Sequence, residues 1–262
     1  MMMRARLGAG PLEDAVQYTL SPARPTLADA IFPRIGSDSR TAVWARDLVL
    51  MLAFAALVAL VAQIQIRLPW TTVPITGQTF GVLVAGGALG MRRGAGSMLI
   101  YGLVGMFLLP VFTPGGAATS GTWDVHFILP WSGSEAYLWN ISSGGYIVGF
   151  VLAAGFVGYL CERGWDRGSW VQLVMFGGTL LVYLPGLLWL GYLIGTDWTP
   201  PGGEVALGEL ISGSSTLDKT LRGGLYPFIV GDIMKLMAAA LVLPAAWLLV
   251  GRAKRDGGNP AP

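Results

Sequence analysis

Long apolar runs alternate along this chain with short polar breaks rich in glycine and proline. Six runs approach the roughly 20 residues needed to cross a hydrocarbon core: 48–66, 76–91, 94–113, 143–160, 170–194 and 226–250. The second is short and follows a proline-rich turn, which predicts a broken or re-entrant start. The third is dense in glycine. The pattern predicts an all-α integral membrane protein with a six-helix membrane domain over 46–250. Residues 1–45 carry charges of both signs and four prolines, with no apolar core of a secretory leader, and read as a flexible extension. Residues 251–262 are polar and Gly/Pro-rich and read as a disordered tail. Between the last two spans, Pro200-Pro201-Gly202-Gly203 and a Gly/Ser-rich stretch near Ser212 make 195–225 a loop or lid rather than a domain.

Composition narrows the function. Of the 262 residues 53% are hydrophobic and 12% charged, against about 25% charged in soluble domains. That leaves room for one bundle and no separate soluble catalytic domain. Cys161 is the only cysteine and His126 the only histidine, so no Cys/His metal set and no internal disulfide can form. His126, read as a polar-loop residue among Trp123-Asp124-Val125 and Phe127, has no serine elbow beside it, which argues against an intramembrane serine hydrolase. No Gly-x-x-x-x-Gly-Lys-[Ser/Thr] loop is present, so ATP hydrolysis would need another subunit. Asn140-Ile141-Ser142 fits a glycosylation triplet, a pattern frequent by chance.

Basic residues set the orientation. Arg4, Arg6, Arg24, Arg34, Arg40, Arg46, Arg92, Arg93, Arg163, Arg167, Arg252, Lys254 and Arg255 fall on the side holding both termini, thirteen in all. Arg67, Lys219 and Arg222 fall on the other, and Lys235 lies within the sixth run. Both ends are therefore expected in the cytoplasm, with 114–141 and 195–225 outside.

Asp232 and Lys235 stand three residues apart inside the last run. Spacing i, i+3 puts them on one helix face, and each costs about 2.5–3.5 kcal/mol at the centre of a membrane helix, so such residues usually face a partner, a cavity or a substrate. The competing reading is an ion pair that only fixes helix packing. Gln78, in Val73-Pro74-Ile75-Thr76-Gly77-Gln78-Thr79-Phe80, can both donate to and accept from a small polar solute, or can satisfy freed backbone groups at the helix mouth. Leu109-Pro110-Val111-Phe112-Thr113-Pro114-Gly115-Gly116 closes the third run, and Gly144-Gly145-Tyr146-Ile147-Val148-Gly149-Phe150 opens the fourth. Gly145 with Gly149, Gly191 with Gly195, and Ala55 with Ala59 have small-xxx-small spacing, which lets membrane helices approach closely.

At these motifs the chain resembles the BioY family, the biotin-binding substrate components of energy-coupling-factor (ECF) transporters. The matching stretches are Val73–Phe80, Leu109–Phe112, Gly144–Phe150 and Pro227–Lys235, in order over roughly residues 46–250. The resemblance implies a six-helix subunit in the cytoplasmic membrane that holds biotin near the outer leaflet, with no catalytic activity of its own. A transmembrane coupling subunit and two cytosolic ATPases would drive a toppling motion that delivers the vitamin inward. It implies no cofactor, no metal and no nucleic acid. Asp232 would accept from a ureido N–H, and Lys235 would donate to the ureido oxygen or steer the carboxylate. Tyr146 would lie on the bicyclic rings, with Gln78 and Asn140 as further polar contacts. Ala55 and Ala59 would become the docking surface for the coupling subunit. The segments 113–143 and before Pro227 are longer than is usual in the family, Thr113-Pro114 replaces a smaller turn, and the N-terminal extension is unusual.

Two other readings compete. An ion-coupled secondary transporter with Asp232 as its ion site would show an inverted repeat, and the two halves show none that convinces. The same fold could take another vitamin or a metal ion, although the scarcity of His and Cys argues against transition metals.

Overall fold

The computed structural model describes residues 24–33, 39–68, 70–113, 124–127, 136–168 and 170–256, with only the backbone of 124–127 and 253–256. The expectations for 1–23, 34–38, 257–262 and the Pro114-Gly115-Gly116 turn lie outside these residues.

The protein is mostly helical. A short helix α1 (Leu27–Ile31) precedes α2 (Arg40–Ala62), α3 (Gln78–Leu89), α4 (Met91–Phe107), α5 (Gly144–Cys161), α6 (Val171–Gly195), the short α7 (Leu207–Leu210) and α8 (Thr216–Gly224), and α9 (Ile229–Asp256). Among the described residues four stretches are long and apolar enough to cross a membrane: Arg40–Ala62, Gly144–Cys161, Val171–Gly195 and Thr216–Arg252. At about 1.5 Å per residue, the 12-residue α3 extends only about 18 Å and cannot span alone. The faces turned away from the bundle are apolar. Val230, Ile233, Met234, Met237 and Leu241 of α9 are exposed, while Asp232, Leu236, Ala239, Ala240 and Leu243 are buried. An outward stripe of that kind is what lipid, not water, stabilises.

Three local results differ from the sequence expectations. The first apolar run does not stay helical to residue 66: after Ala62 the alternating Ile64-Gln65-Ile66-Arg67 forms β1 (Ile64–Arg67). Strand β1 lies between β2 (Ile75–Thr76) and β3 (Asp124–Phe127), antiparallel to both. Two β-branched isoleucines at a period of two favour a strand over a helical end. His126 therefore belongs to β3, not to a loop. The segment 195–225 also contains α7 and α8, the latter capped by Ser215, whose hydroxyl accepts the Asp218 N–H at 3.2 Å.

Helix contacts follow small residues. A Cβ at Gly149 would lie 2.8 Å from Val182 Cα and 3.0 Å from the Leu181 carbonyl oxygen, and one at Gly145 would overlap Pro185 and Trp189. Both glycines thus set the close approach of α5 to α6. Gly191 and Gly195 face Thr220 and Thr216 of α8. Between α3 and α4 the chain reverses at Gly90, whose φ of 84° suits glycine.

At the same end as Gly90, α1 is tied to the bundle by charge. Thr26 and Asp29 form a capping box. The Asp29 carboxylate accepts from Arg46 Nη2 at 2.9 Å, from Arg93 Nη1 at 3.0 Å and Nη2 at 2.8 Å, and from the Thr26 hydroxyl at 2.8 Å. Asp47 shares both arginines at 3.2 Å. Burial opposes ionisation of Asp29, but the bonds from Arg93, Thr26 and Arg46 outweigh it and hold this carboxyl well below the usual carboxylate range. A depressed folded pKa stabilises above the unfolded value of about 3.9, and that stabilisation is lost only as pH falls through the folded value. Asp29→Asn is therefore expected to lower the melting temperature at pH 7, by the equivalent of about 1–3 kcal/mol. The gap between wild type and variant should stay constant from about pH 5 to 8 and narrow below about pH 4; thermal unfolding across that range checks it.

Candidate functional site

The end of the bundle opposite Gly90 holds a cavity built by the starts and ends of several elements. Val73 and Pro74 line it from the β1–β2 connection, Thr76 from β2, Gln78 and Thr79 from the first turn of α3, and Phe112 and Thr113 from the segment after α4. Ser143, Tyr146, Ile147 and Phe150 come from the start of α5, Val182 and Tyr183 from the middle of α6, and Phe228, Asp232 and Lys235 from the start of α9. The walls are apolar and aromatic with a few convergent polar groups, as expected of a small-molecule site.

Asp232 and Lys235 form its floor. Lys235 Nζ donates to Asp232 Oδ1 at 2.7 Å, and the Tyr183 hydroxyl donates to Asp232 Oδ2. The Asp232 side chain is 9% exposed and that of Lys235 17%. Spacing on one helix supplied the ion pair, but Tyr183 comes from α6 and no sequence motif marked it. The only local signal was a tyrosine two residues before Pro185 inside an apolar helix. Each carboxylate oxygen has one bond from the protein and retains acceptor capacity, while Lys235 keeps two of its three N–H donors.

Gln78 is held by side chains rather than by backbone. Its Nε2 donates to the Tyr101 hydroxyl at 2.7 Å, and its Oε1 accepts from the Thr76 hydroxyl at 2.8 Å. The backbone amide that opens α3 is satisfied instead by Thr76 Oγ1 at 3.3 Å. The reading of Gln78 as a backbone cap thus falls to Thr76.

Tyr146 stands between α6 and α8. Its hydroxyl donates to the Gly224 carbonyl at 2.8 Å, its ring meets Tyr183 edge-on at 6.0 Å, and its flank lies on Gly186. Asn140 is placed differently. It ends a 3₁₀ turn, Leu138–Asn140, is exposed, and does not line the cavity; Ser143, three residues on, does. The connecting segments at this end are pinned by buried hydroxyls: Thr71 to the Gly223 carbonyl at 2.5 Å and Thr72 to Ser142 at 3.1 Å. Ala55 and Ala59 lie elsewhere, on the floor of an apolar groove of about 340 Å³ between α2 and α4, edged by Leu52, Leu60, Ile100 and Val104. Among the described residues no group of three or more His, Cys, Asp and Glu could hold a metal ion.

A lipid-facing helical bundle with a buried, charged site for a small polar solute defines a membrane solute-binding protein. The BioY family model matches residues 36–252, and this chain belongs to the BioY family. The biotin transporter BioY of Rhizobium etli is 30% identical over 206 residues, covering 75% of this chain and 90% of that protein. The probable biotin transporter BioY of Pyrococcus horikoshii is 30% identical over 200 residues, covering 76% and 94%. A crystal structure at 2.1 Å of the S-component for biotin from an ECF-type ABC transporter shares the fold, with a TM-score of 0.53 and 17% identity over 80% of this chain and 94% of that one. The chain is a transport component, not an enzyme.

Proposed function

We propose that this chain captures biotin from outside and mediates its uptake across the cytoplasmic membrane as the substrate-binding subunit of an ECF-type transporter. The observation that carries the reading is the Asp232–Lys235 pair, an acid and an amine that line a cavity in a family whose relatives are biotin transporters. Biotin offers two ureido N–H donors, one ureido carbonyl, an apolar ring and a carboxylate. Asp232 accepts a ureido N–H and Lys235 donates to the ureido oxygen, both charge-assisted. Tyr146 and Tyr183 flank the bicyclic rings, and Gln78 supplies a further polar contact. Asn140 reaches the ligand only if the 138–143 turn closes inward. The basic residues around Arg46, Arg93 and Arg167 support a reading with that end of the bundle in the cytoplasm, six membrane passes and both termini inside.

Purified protein titrated with biotin, riboflavin and thiamine tests the reading through tryptophan fluorescence and calorimetry. Saturable binding of biotin alone is expected; folded protein that binds none of the three rejects it. The groove over Ala55 and Ala59 fits docking of a transmembrane coupling subunit, which two cytosolic ATPases would energise. Ala59→Trp fills that groove, so biotin binding by the isolated chain should stay within about twofold while uptake by the reconstituted transporter falls about tenfold, the equivalent of about 1.4 kcal/mol of lost association. Equal loss of binding and uptake would instead assign the groove to the bundle's own stability.

A further inference from the structure

Tyr101 on α4 stands in the wall between two hollows of this protein. It lines the apolar groove beside Ala55 and Ala59, and it is not among the described residues that line the charged cavity. The side chain is buried, 1% exposed, so its hydroxyl has to find partners within the protein. It finds one on the cavity side: its oxygen accepts from Gln78 Nε2 at 2.7 Å, and its own proton has the Val111 carbonyl at 3.5 Å. The ring meets Phe112, another cavity residue, edge-on at 5.5 Å.

Hydrogen accounting shows what the Tyr101 bond does to Gln78. The Thr76 hydroxyl oxygen accepts the Gln78 backbone N–H at 3.3 Å, and its single proton goes to Gln78 Oε1 at 2.8 Å. The amide carbonyl therefore points at Thr76 and the amide nitrogen at Tyr101. Tyr101 takes one of the two N–H groups on that nitrogen, which leaves the other for an acceptor in the cavity that Gln78 lines. Held from both ends, the amide cannot exchange its donor and acceptor ends by rotation. A loose glutamine would have to be ordered when the solute arrives, at a cost in affinity that a fixed one avoids.

We propose that Tyr101 is a positioning residue for solute binding: from outside the cavity it fixes the Gln78 amide so that an N–H meets a hydrogen-bond acceptor of the solute. This rests on the biotin reading above and narrows it. Biotin's acceptors are the ureido oxygen and the carboxylate, so Gln78 serves one of these and not a ureido N–H. The competing interpretation is that Gln78 only satisfies a buried phenol, in which case Tyr101 contributes to folding alone.

A double-mutant cycle on the purified chain separates the two, with biotin affinity read by calorimetry and folding by thermal unfolding of each variant. Tyr101→Phe keeps the ring, and with it the contact to Phe112 and the groove wall, and removes only the hydroxyl. Biotin affinity is expected to fall about tenfold in Tyr101→Phe and by at least as much in Gln78→Leu. The double variant should bind no more weakly than Gln78→Leu alone, within about twofold, because Tyr101 acts only through Gln78. Combined with Lys235→Met, the Tyr101→Phe loss should instead multiply, since the Lys235 bond is to Asp232 and involves no partner of Tyr101. Affinity within about twofold of wild type in Tyr101→Phe, or a Tyr101→Phe loss that persists in full in the Gln78→Leu background, overturns the proposal while the biotin reading stands. Absence of biotin binding to wild type rejects that reading itself.

Discussion

Asp232→Asn is expected to weaken biotin binding roughly a hundredfold while leaving the bundle folded. The variant keeps shape but removes the carboxylate that accepts from Lys235 and Tyr183 and, in the proposed complex, from the solute. Hydrogen bonds to charged groups contribute about 1.5–3 kcal/mol each, and 1.4 kcal/mol is tenfold in affinity. Weakening two of them reaches two orders of magnitude. The opposing interpretation is that Asp232 and Lys235 only neutralise each other, and that breaking the pair strands a buried cation at about 3–5 kcal/mol. The double variant Asp232→Asn/Lys235→Met separates the two. With no ion left unpaired, its melting temperature should return toward wild type, but biotin binding should not. Affinity within about threefold of wild type in Asp232→Asn, or recovery of binding in the double variant, would return the pair to a purely structural role.

Gly186→Val is expected to lower biotin affinity by at least about thirtyfold without removing any polar group of the site. A Cβ at position 186 would overlap the Tyr146 ring, with Tyr146 Cγ at 2.6 Å. The ring would have to leave α6, which breaks the 2.8 Å bond from its hydroxyl to the Gly224 carbonyl and drives the phenol into the cavity. Overpacking of this kind costs about 1–3 kcal/mol, the upper part of which falls on ligand binding because the displaced ring occupies ligand space. Gly186→Ala should show the same direction with a smaller effect. Calorimetric titration together with thermal unfolding reads both consequences, and wild-type affinity in a stably folded Gly186→Val would show that Tyr146 does not shape the site.

Legibility in the sequence depended on whether a contact was local. Asp232 and Lys235 sit on one helix at a spacing that requires them to share a face, so their pairing followed from periodicity. Gln78 and Tyr146 stand at the mouths of apolar runs, where proline and glycine mark the boundary. Tyr183 escaped because its role exists only where α6 passes α9. A tyrosine inside a 25-residue apolar helix has no sequence neighbour that reveals its partner.

Apolar run length and the scarcity of charge determined by themselves that this chain is a helical membrane protein, because a continuous run of about 20 apolar residues fits a helix that satisfies its own backbone in lipid, whereas barrel strands are about ten residues of alternating polarity. Glycine spacing on α5 likewise announced close helix contact. Tertiary structure alone decided that residues 64–67 leave the helix for a sheet and that Asn140 stays outside the cavity. It also decided that an acid on α9, a tyrosine on α6 and an amide on α3 converge on one cavity. Those outcomes depend on which elements meet across the bundle, and that depends on packing between residues far apart in the chain, which no local pattern encodes.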